Sequence, residues 1–310
     1  MGVMTSVLAT VAALLAGVGL TAWLEPKWLG ANGERGPASP VKIAADVRLT
    51  QPDPWLYYAG PVIACMGVSW AMVCIPFSPS LVGNDINIGL FYFIVVVDFV
   101  VLGIALGGWG ANTPDSVESC YRAIAQLIAY VIPLGLAIIG PIMMARSLST
   151  VHIVEAQANA QLWYLIPQPI GFILYVMSGL MQVYRAPFLE PFADPIGRGV
   201  LSVFGGWKGL LWRLALSGVL FVVAAMGAVI FLGGYSGPFL PGPVWMVIKT
   251  VGLMVLMIWL GRQVRLLSVA EMLSLSWKVL IPVGLLNVLL VGGLILLGVG
   301  QDPFSPGGGH

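Results

Sequence analysis

A chain of 310 residues with 59% apolar and only 9% charged side chains cannot clothe a soluble globule, whose charged share is roughly a quarter. Its 14 Lys and Arg nearly balance 13 Asp and Glu, for a formal net charge of +1 that gives no sign of nucleic acid, and no basic run exceeds two residues, so no nucleic-acid partner is expected. Cys65, Cys74 and Cys120 lack any Cys-x-x-Cys spacing, which excludes a disulfide framework or a cysteine metal cluster. Cys65 and Cys74 share one apolar stretch and read as small hydrophobes.

A bilayer core of about 30 Å takes about 20 apolar residues per helix. Stretches of that kind lie near 3–24, 57–77, 86–109, 121–145, 161–181, 210–233, 244–261 and 277–298. The sequence therefore predicts an all-α polytopic membrane protein of eight transmembrane helices, with residues 1–304 as one membrane domain. The first stretch has no basic residue before it and no cleavage site leading into a soluble domain, so it reads as a retained helix rather than a signal peptide. Residues 305–310 read as a flexible tail or a tag remnant. No internal repeat is evident, which argues against a carrier built from inverted halves.

The connections carry strongly biased charge. Lys27, Arg35, Lys42 and Arg48 lie in the first; Arg122 ends the third. Arg185, Arg198, Lys208 and Arg213 lie in or beside the fifth, and Arg262, Arg265 and Lys278 in or beside the seventh. Against these twelve, only Arg146 falls on the other side. The bias places the odd-numbered loops in the cytoplasm and both termini outside. The first (25–56) and fifth (182–209) loops are long, so partner proteins are expected on that face.

Ionisable groups inside spans mark function unless they reach water. Asp98 sits deep in the third span, in Val-Val-Val-Asp-Phe-Val-Val (95–101). A short carboxylate cannot snorkel from there, and facing lipid would cost about 2.5 to 3.5 kcal/mol. It is therefore expected to face other helices or internal water. Lys249, early in the seventh span, is open to two readings: a functional charge, or a stem along the helix with its ammonium at the outer interface. Arg122, Gln126 and Tyr130 recur every four residues and so share a helix face, either a polar stripe against a neighbour or a cavity lining. His152, in the short outer loop after the fourth span, and His310 have no metal-ligand partner in the sequence.

Several segments resemble one family. Arg-Ala-Ile-Ala-Gln-Leu-Ile-Ala-Tyr (122–130) is similar to the fourth-span signature of the quinone-site membrane subunit of respiratory complex I, the NuoH family. Gly-Gly-Trp-Gly-Ala-Asn (107–112) precedes it as a similar Gly-Trp segment does there. Tyr-Arg-Ala-Pro-Phe (184–188) resembles the family's Ala-Arg-Thr-Pro-Phe, and Phe-Leu-Gly-Gly-Tyr (231–235) its Phe-Leu-Gly-Gly-Trp. The stretch from Lys249 to Arg262 and Trp-Lys-Val-Leu-Ile-Pro (277–282) resemble the seventh span and the opening of the last. Each motif is weak by itself; their common order over 57–298 is the stronger signal.

The resemblance implies a membrane subunit that anchors a peripheral electron-transfer arm, lines a quinone chamber and begins a polar axis towards proton pumping. It implies quinone as substrate, no cofactor held by this chain, and iron–sulfur clusters and FMN confined to partner subunits. The implied partners are other complex I membrane subunits, peripheral quinone-site subunits on the cytoplasmic face, and lipid of a bacterial cytoplasmic membrane. Residue by residue, Asp98 falls at the family's third-span Glu, while Arg122, Gln126, Tyr130 and Arg185 keep family positions. Trp23, Trp28, Arg35 and Val47 fall near the chamber mouth; interfacial anchoring is the alternative for the tryptophans. Departures are concentrated in acids. Val131 and Gln182 stand where the family has Glu, and the acidic loop after Pro-Phe leaves only Glu190 and Asp194. The first loop is shortened: Gly-Glu-Arg-Gly-Pro (33–37) and Ala-Ala-Asp-Val-Arg (44–48) remain. Such a chamber can hold the two arms together without coupling quinone to protons in the usual way. The rival readings are a non-catalytic anchor in a related assembly, such as a membrane-bound hydrogenase, and an independent transporter.

Overall fold

The computed structural model describes residues 15–21, 52–79, 81–185, 187–188 and 203–297. Within them the protein is helical, with one isolated bridge between Ser78 and Leu81. The helices are α1 (15–21), α2 (Pro54–Ala71), α3 (Gly89–Val97), α4 (Phe99–Ala111), α5 (Pro114–Ala145) and α6 (Thr150–Asn159). They continue as α7 (Pro169–Gln182), α8 (Gly206–Leu232), α9 (Gly242–Gln263), α10 (Val269–Leu275) and α11 (Ile281–Leu296). A π-helical turn over Ser276–Leu280 joins the last two.

Six helical stretches among the described residues are long and apolar enough to cross a membrane: Pro54–Cys74, Gly89–Ala111, Pro114–Ala145, Gly206–Leu232, Gly242–Gln263 and Val269–Leu296. Two expected spans differ. The first lies mostly outside the described residues, with only 15–21 seen as helix. The fifth is shorter than expected: residues 161–168 form turns, and α7 has 14 residues, about 21 Å at 1.5 Å per residue. The short loop after the fourth expected span also proves helical. Ser149 caps α6 by accepting from the His152 N–H, so His152 lies in its first turn.

Glycine decides how α2 meets α4. A methyl added to Gly60 would stand 2.6 Å from the Gly107 Cα and 2.8 Å from the Gly103 carbonyl. Small residues thus bring the two backbones together where packing, not water exclusion, must hold helices. The long α5 begins with a capping box between Thr113 and Ser116 and contains Pro133 and Pro141. Each proline lacks an N–H and frees the carbonyl four residues earlier. For Pro133 that carbonyl is Ala129, and the Ser276 hydroxyl of the π-helical turn donates to it at 2.5 Å. The centre of the bundle is α8, buried along 89% of its apolar window, whereas the α10–α11 span is buried along only 22%. That span turns Leu285, Leu286, Leu289 and Leu290 outwards.

Candidate functional site: a carboxylate at a helix break

The third span is interrupted at Asp98, which ends α3 and precedes α4. Its carbonyl accepts from Val101 at 2.9 Å and Leu102 at 3.3 Å, so the chain re-enters helix at once. The side chain is partly buried and turned towards other helices, as expected. From α5, the Tyr130 hydroxyl donates to Asp98 Oδ1 at 2.8 Å; from the end of α7, Gln182 Nε2 donates to the same oxygen at 3.2 Å. Both partners are buried, at 0% and 2% exposed. Both are also neutral, so the carboxyl faces two donors and no counter-cation among these contacts. Tyr184 packs beside Tyr130 and Asp98. Its φ of +53° is a left-handed conformation that a bulky residue rarely takes, and the side chain it places there is 1% exposed.

The polar stripe on α5 divides into three tasks. Tyr130 meets Asp98. Gln126, one turn earlier, donates to the Met181 carbonyl at 2.5 Å and the Phe188 carbonyl at 3.2 Å. The Met181 carbonyl also accepts from the Tyr184 N–H at 3.3 Å, so Gln126 braces the end of α7 and holds the following segment. Arg122, a further turn away, pairs with Glu118 of its own helix at 2.6 Å. The stripe is thus a contact with α7 at one end and an exposed ion pair at the other.

After α7 the chain turns sharply. The Phe188 N–H donates to the Arg185 carbonyl at 2.7 Å, and the Leu267 N–H to the Pro187 carbonyl at 3.0 Å, tying this segment to the approach to α10. Arg185 is half-buried. Burial draws its guanidinium down to about 10, which leaves it charged at neutral pH. Val131 packs against the apolar core.

Lys249 does not belong to this site. Its ammonium donates to the carbonyls of Leu232 at 2.5 Å, Gly234 at 3.0 Å and Ser236 at 2.6 Å. It lies 4.8 Å from the Trp163 ring centre and 5.5 Å from that of Trp245. Gly233 and Gly234, at φ +71° and +48°, end α8 and bend the chain so that these carbonyls converge. The lysine therefore caps the negative end of α8 and is 7% exposed; its ammonium is not simply released to an interface.

Trp23, Trp28, Arg35, Val47, Glu190 and Asp194 lie outside the described residues. Among the described residues, no group of three His, Cys, Asp or Glu side chains is placed to hold a metal ion. Two members of the Asp98 site have no direct signal in the chain. Gln182 stands out in the sequence as a lost acid, not as a partner, and Tyr184 as one letter of a loop motif.

The fold and site define a polytopic helical membrane protein built around a hydrogen-bonded intramembrane carboxyl group. A family model described as NADH dehydrogenase matches residues 5–292, and the chain belongs to that family. Among similar proteins is the NADH-quinone oxidoreductase H subunit numbered 2 of Syntrophobacter fumaroxidans, 38% identical over 70% of this chain and 65% of that one. The NADH-quinone oxidoreductase H subunit numbered 1 of Geobacter metallireducens is 31% identical over 90% of this chain and 89% of its own. Its counterpart numbered 1 in Rhodopseudomonas palustris is 30% identical over 92% and 93% respectively.

Proposed function

We propose that this chain is a membrane subunit of a complex I-type NADH-quinone oxidoreductase, active only within the assembly. In this reading it anchors the peripheral electron-transfer arm and lines the chamber that admits quinone, while Asp98 handles a proton within the membrane. The names of its relatives and the span of the family match support the assembly. The observation that carries the role of Asp98 is its carboxyl at a helix break, gripped by Tyr130 and Gln182 from two other helices. Carboxyl groups at such depth are costly unless they serve a pathway or a network.

The same proposal has eight spans in a bacterial inner membrane within one domain, with α1 part of the first span and α7 the core of the fifth. The basic loops face the cytoplasm, where the peripheral subunits dock, and both termini face the opposite side. Quinone enters near Trp23, Trp28, Arg35 and Val47. FMN and the iron–sulfur clusters belong to the partners, and Glu190 and Asp194 lie in the loop those partners cover. The loss of acids at Val131 and Gln182 leaves Asp98 with neutral neighbours and so alters the coupling.

The test is Asp98→Asn, which keeps shape and removes the titration. Protons moved per electron are measured in sealed membranes, with subunit content quantified by mass spectrometry. Pumping is expected to fall while the assembly stays intact. Unchanged pumping in a normally assembled complex would remove Asp98 from the path and leave a membrane anchor.

A further inference from the structure

The last span packs against the part of α5 that presents Tyr130, and it does so through its π-helical turn, Ser276–Leu280. Met272, Ser276, Leu280 and Gly284 are buried in succession along that span. Residues four apart overshoot an α-turn of about 3.6 residues, so in a plain α-helix such a row drifts off one face. A π turn closes over a wider loop and undershoots instead. Here the Ile281 N–H reaches back to the Ser276 carbonyl, which resets the drift and keeps the row on α5. At its far end a methyl added to Gly284 would stand 2.9 Å from Leu136 Cβ of α5. Ser276, in the middle of the row, is 0% exposed, and its hydroxyl donates to the Ala129 carbonyl.

That carbonyl is a particular one. Pro133 has no N–H to give it. It also belongs to the same planar peptide unit as the Tyr130 nitrogen, so whatever holds its oxygen sets the plane from which Tyr130 starts. The Tyr130 hydroxyl in turn donates to Asp98 Oδ1 at 2.8 Å. We infer that Ser276 is a positioning residue for the Asp98 site. Delivered by the π turn, its hydroxyl stands in for the helical bond missing at Pro133 and aims the Tyr130 phenol at the carboxyl. Ser276 acts on Asp98 through the backbone of α5 and takes no part in proton transfer itself. Its bearing on pumping rests on the proton role proposed for Asp98, whereas its bearing on the Tyr130–Asp98 bond does not.

The test is Ser276→Ala in the assembled complex, with Ser276→Thr as the variant that keeps a hydroxyl. Cryo-EM maps should place the Tyr130 oxygen beyond hydrogen-bond distance of Asp98 in Ser276→Ala and within it in Ser276→Thr. A Tyr130–Asp98 bond unchanged in Ser276→Ala would overturn the inference, whatever Asp98 does. Protons moved per electron should fall in Ser276→Ala by the same fraction as in Tyr130→Phe, with subunit content preserved. Changes that act through one shared bond do not add, so the double variant should pump no less than Tyr130→Phe alone. A double variant well below either single change, or a Ser276→Ala subunit missing from the complex, would make the bond a structural brace and overturn the inference too. Intact pumping in Asp98→Asn would remove the proton role by itself, and the maps would still decide whether Ser276 aims Tyr130.

Discussion

Asp98 and Lys249 are both ionisable side chains set into apolar helices, and their surroundings differ in kind. Lys249 gives its donors to three backbone carbonyls and sits against two indole rings. Backbone carbonyls at a helix end do not titrate or change rotamer, so the acceptors that hold the lysine are fixed in place. Asp98 is held through a single carboxylate oxygen by a phenol and an amide, side chains that can rotate and re-form their bonds. Its own backbone sits at a break between helices. An ionisable group fixed by main chain builds the fold, whereas one held by neutral side chains is suited to chemistry.

The largest effect expected from this contrast is at Lys249. Lys249→Met keeps the stem but leaves three converging carbonyls without a donor. One of the three bonds is buried and two are part-buried, so the loss is about 1–3 kcal/mol, a large share of ordinary folding stability. The amount of the subunit in purified complex should fall sharply, with Lys249→Arg recovering part of it. Normal assembly of Lys249→Met would break the comparison by making the lysine dispensable to the fold. At the other site, Tyr130→Phe removes the shorter of two bonds to Asp98 and leaves Gln182 in place. Assembly should be nearly normal, with about 1 kcal/mol of stability lost. Pumping per electron should drop less than in Asp98→Asn. A Tyr130→Phe complex that falls apart would put Asp98 in the same structural class as Lys249.

Much of this contrast is legible in the sequence, but not its cause. Asp98 in an unbroken apolar run announces a buried carboxyl, and four-residue spacing correctly puts Arg122, Gln126 and Tyr130 on one face. Spacing cannot tell that the face splits, since its partners Met181 and Phe188 come from a helix and turn more than fifty residues on. Gln182 lies 84 residues from Asp98, and nothing local marks the two as neighbours. The left-handed backbone that turns Tyr184 inward is imposed by the end of α7, at a residue type that does not favour it. Lys249 is ambiguous in sequence for a similar reason: its carbonyl partners depend on two left-handed glycines after α8, not on residues near it in the chain. The fifth span reads long because residues 161–168 are largely apolar, yet Pro167 and Pro169 hold the start of α7 at Pro169. The mouth residues Trp23, Trp28, Arg35 and Val47 rest on resemblance alone.

The smallest effect is expected at Arg122, the third kind of charge in the molecule. It keeps a family position on the face that carries Tyr130, so proximity alone would give it a share in the proton path. Its geometry points elsewhere. The guanidinium pairs with Glu118 four residues back, the two side chains are 27% and 63% exposed, and the pair is open to screening. Exposed helical pairs of this spacing contribute about 0.3–0.5 kcal/mol, and the bonds that hold Asp98 come from Tyr130 and Gln182, not from this pair. Arg122→Gln should therefore leave subunit content within error and pumping per electron unchanged, and raising the salt should reproduce what little it does. If Arg122→Gln instead lowers pumping as far as Tyr130→Phe, charge on the exposed end of α5 acts on the Asp98 site from a distance. The division between charges that build and charges that react would then have to be drawn by helix face instead of by hydrogen-bond partner.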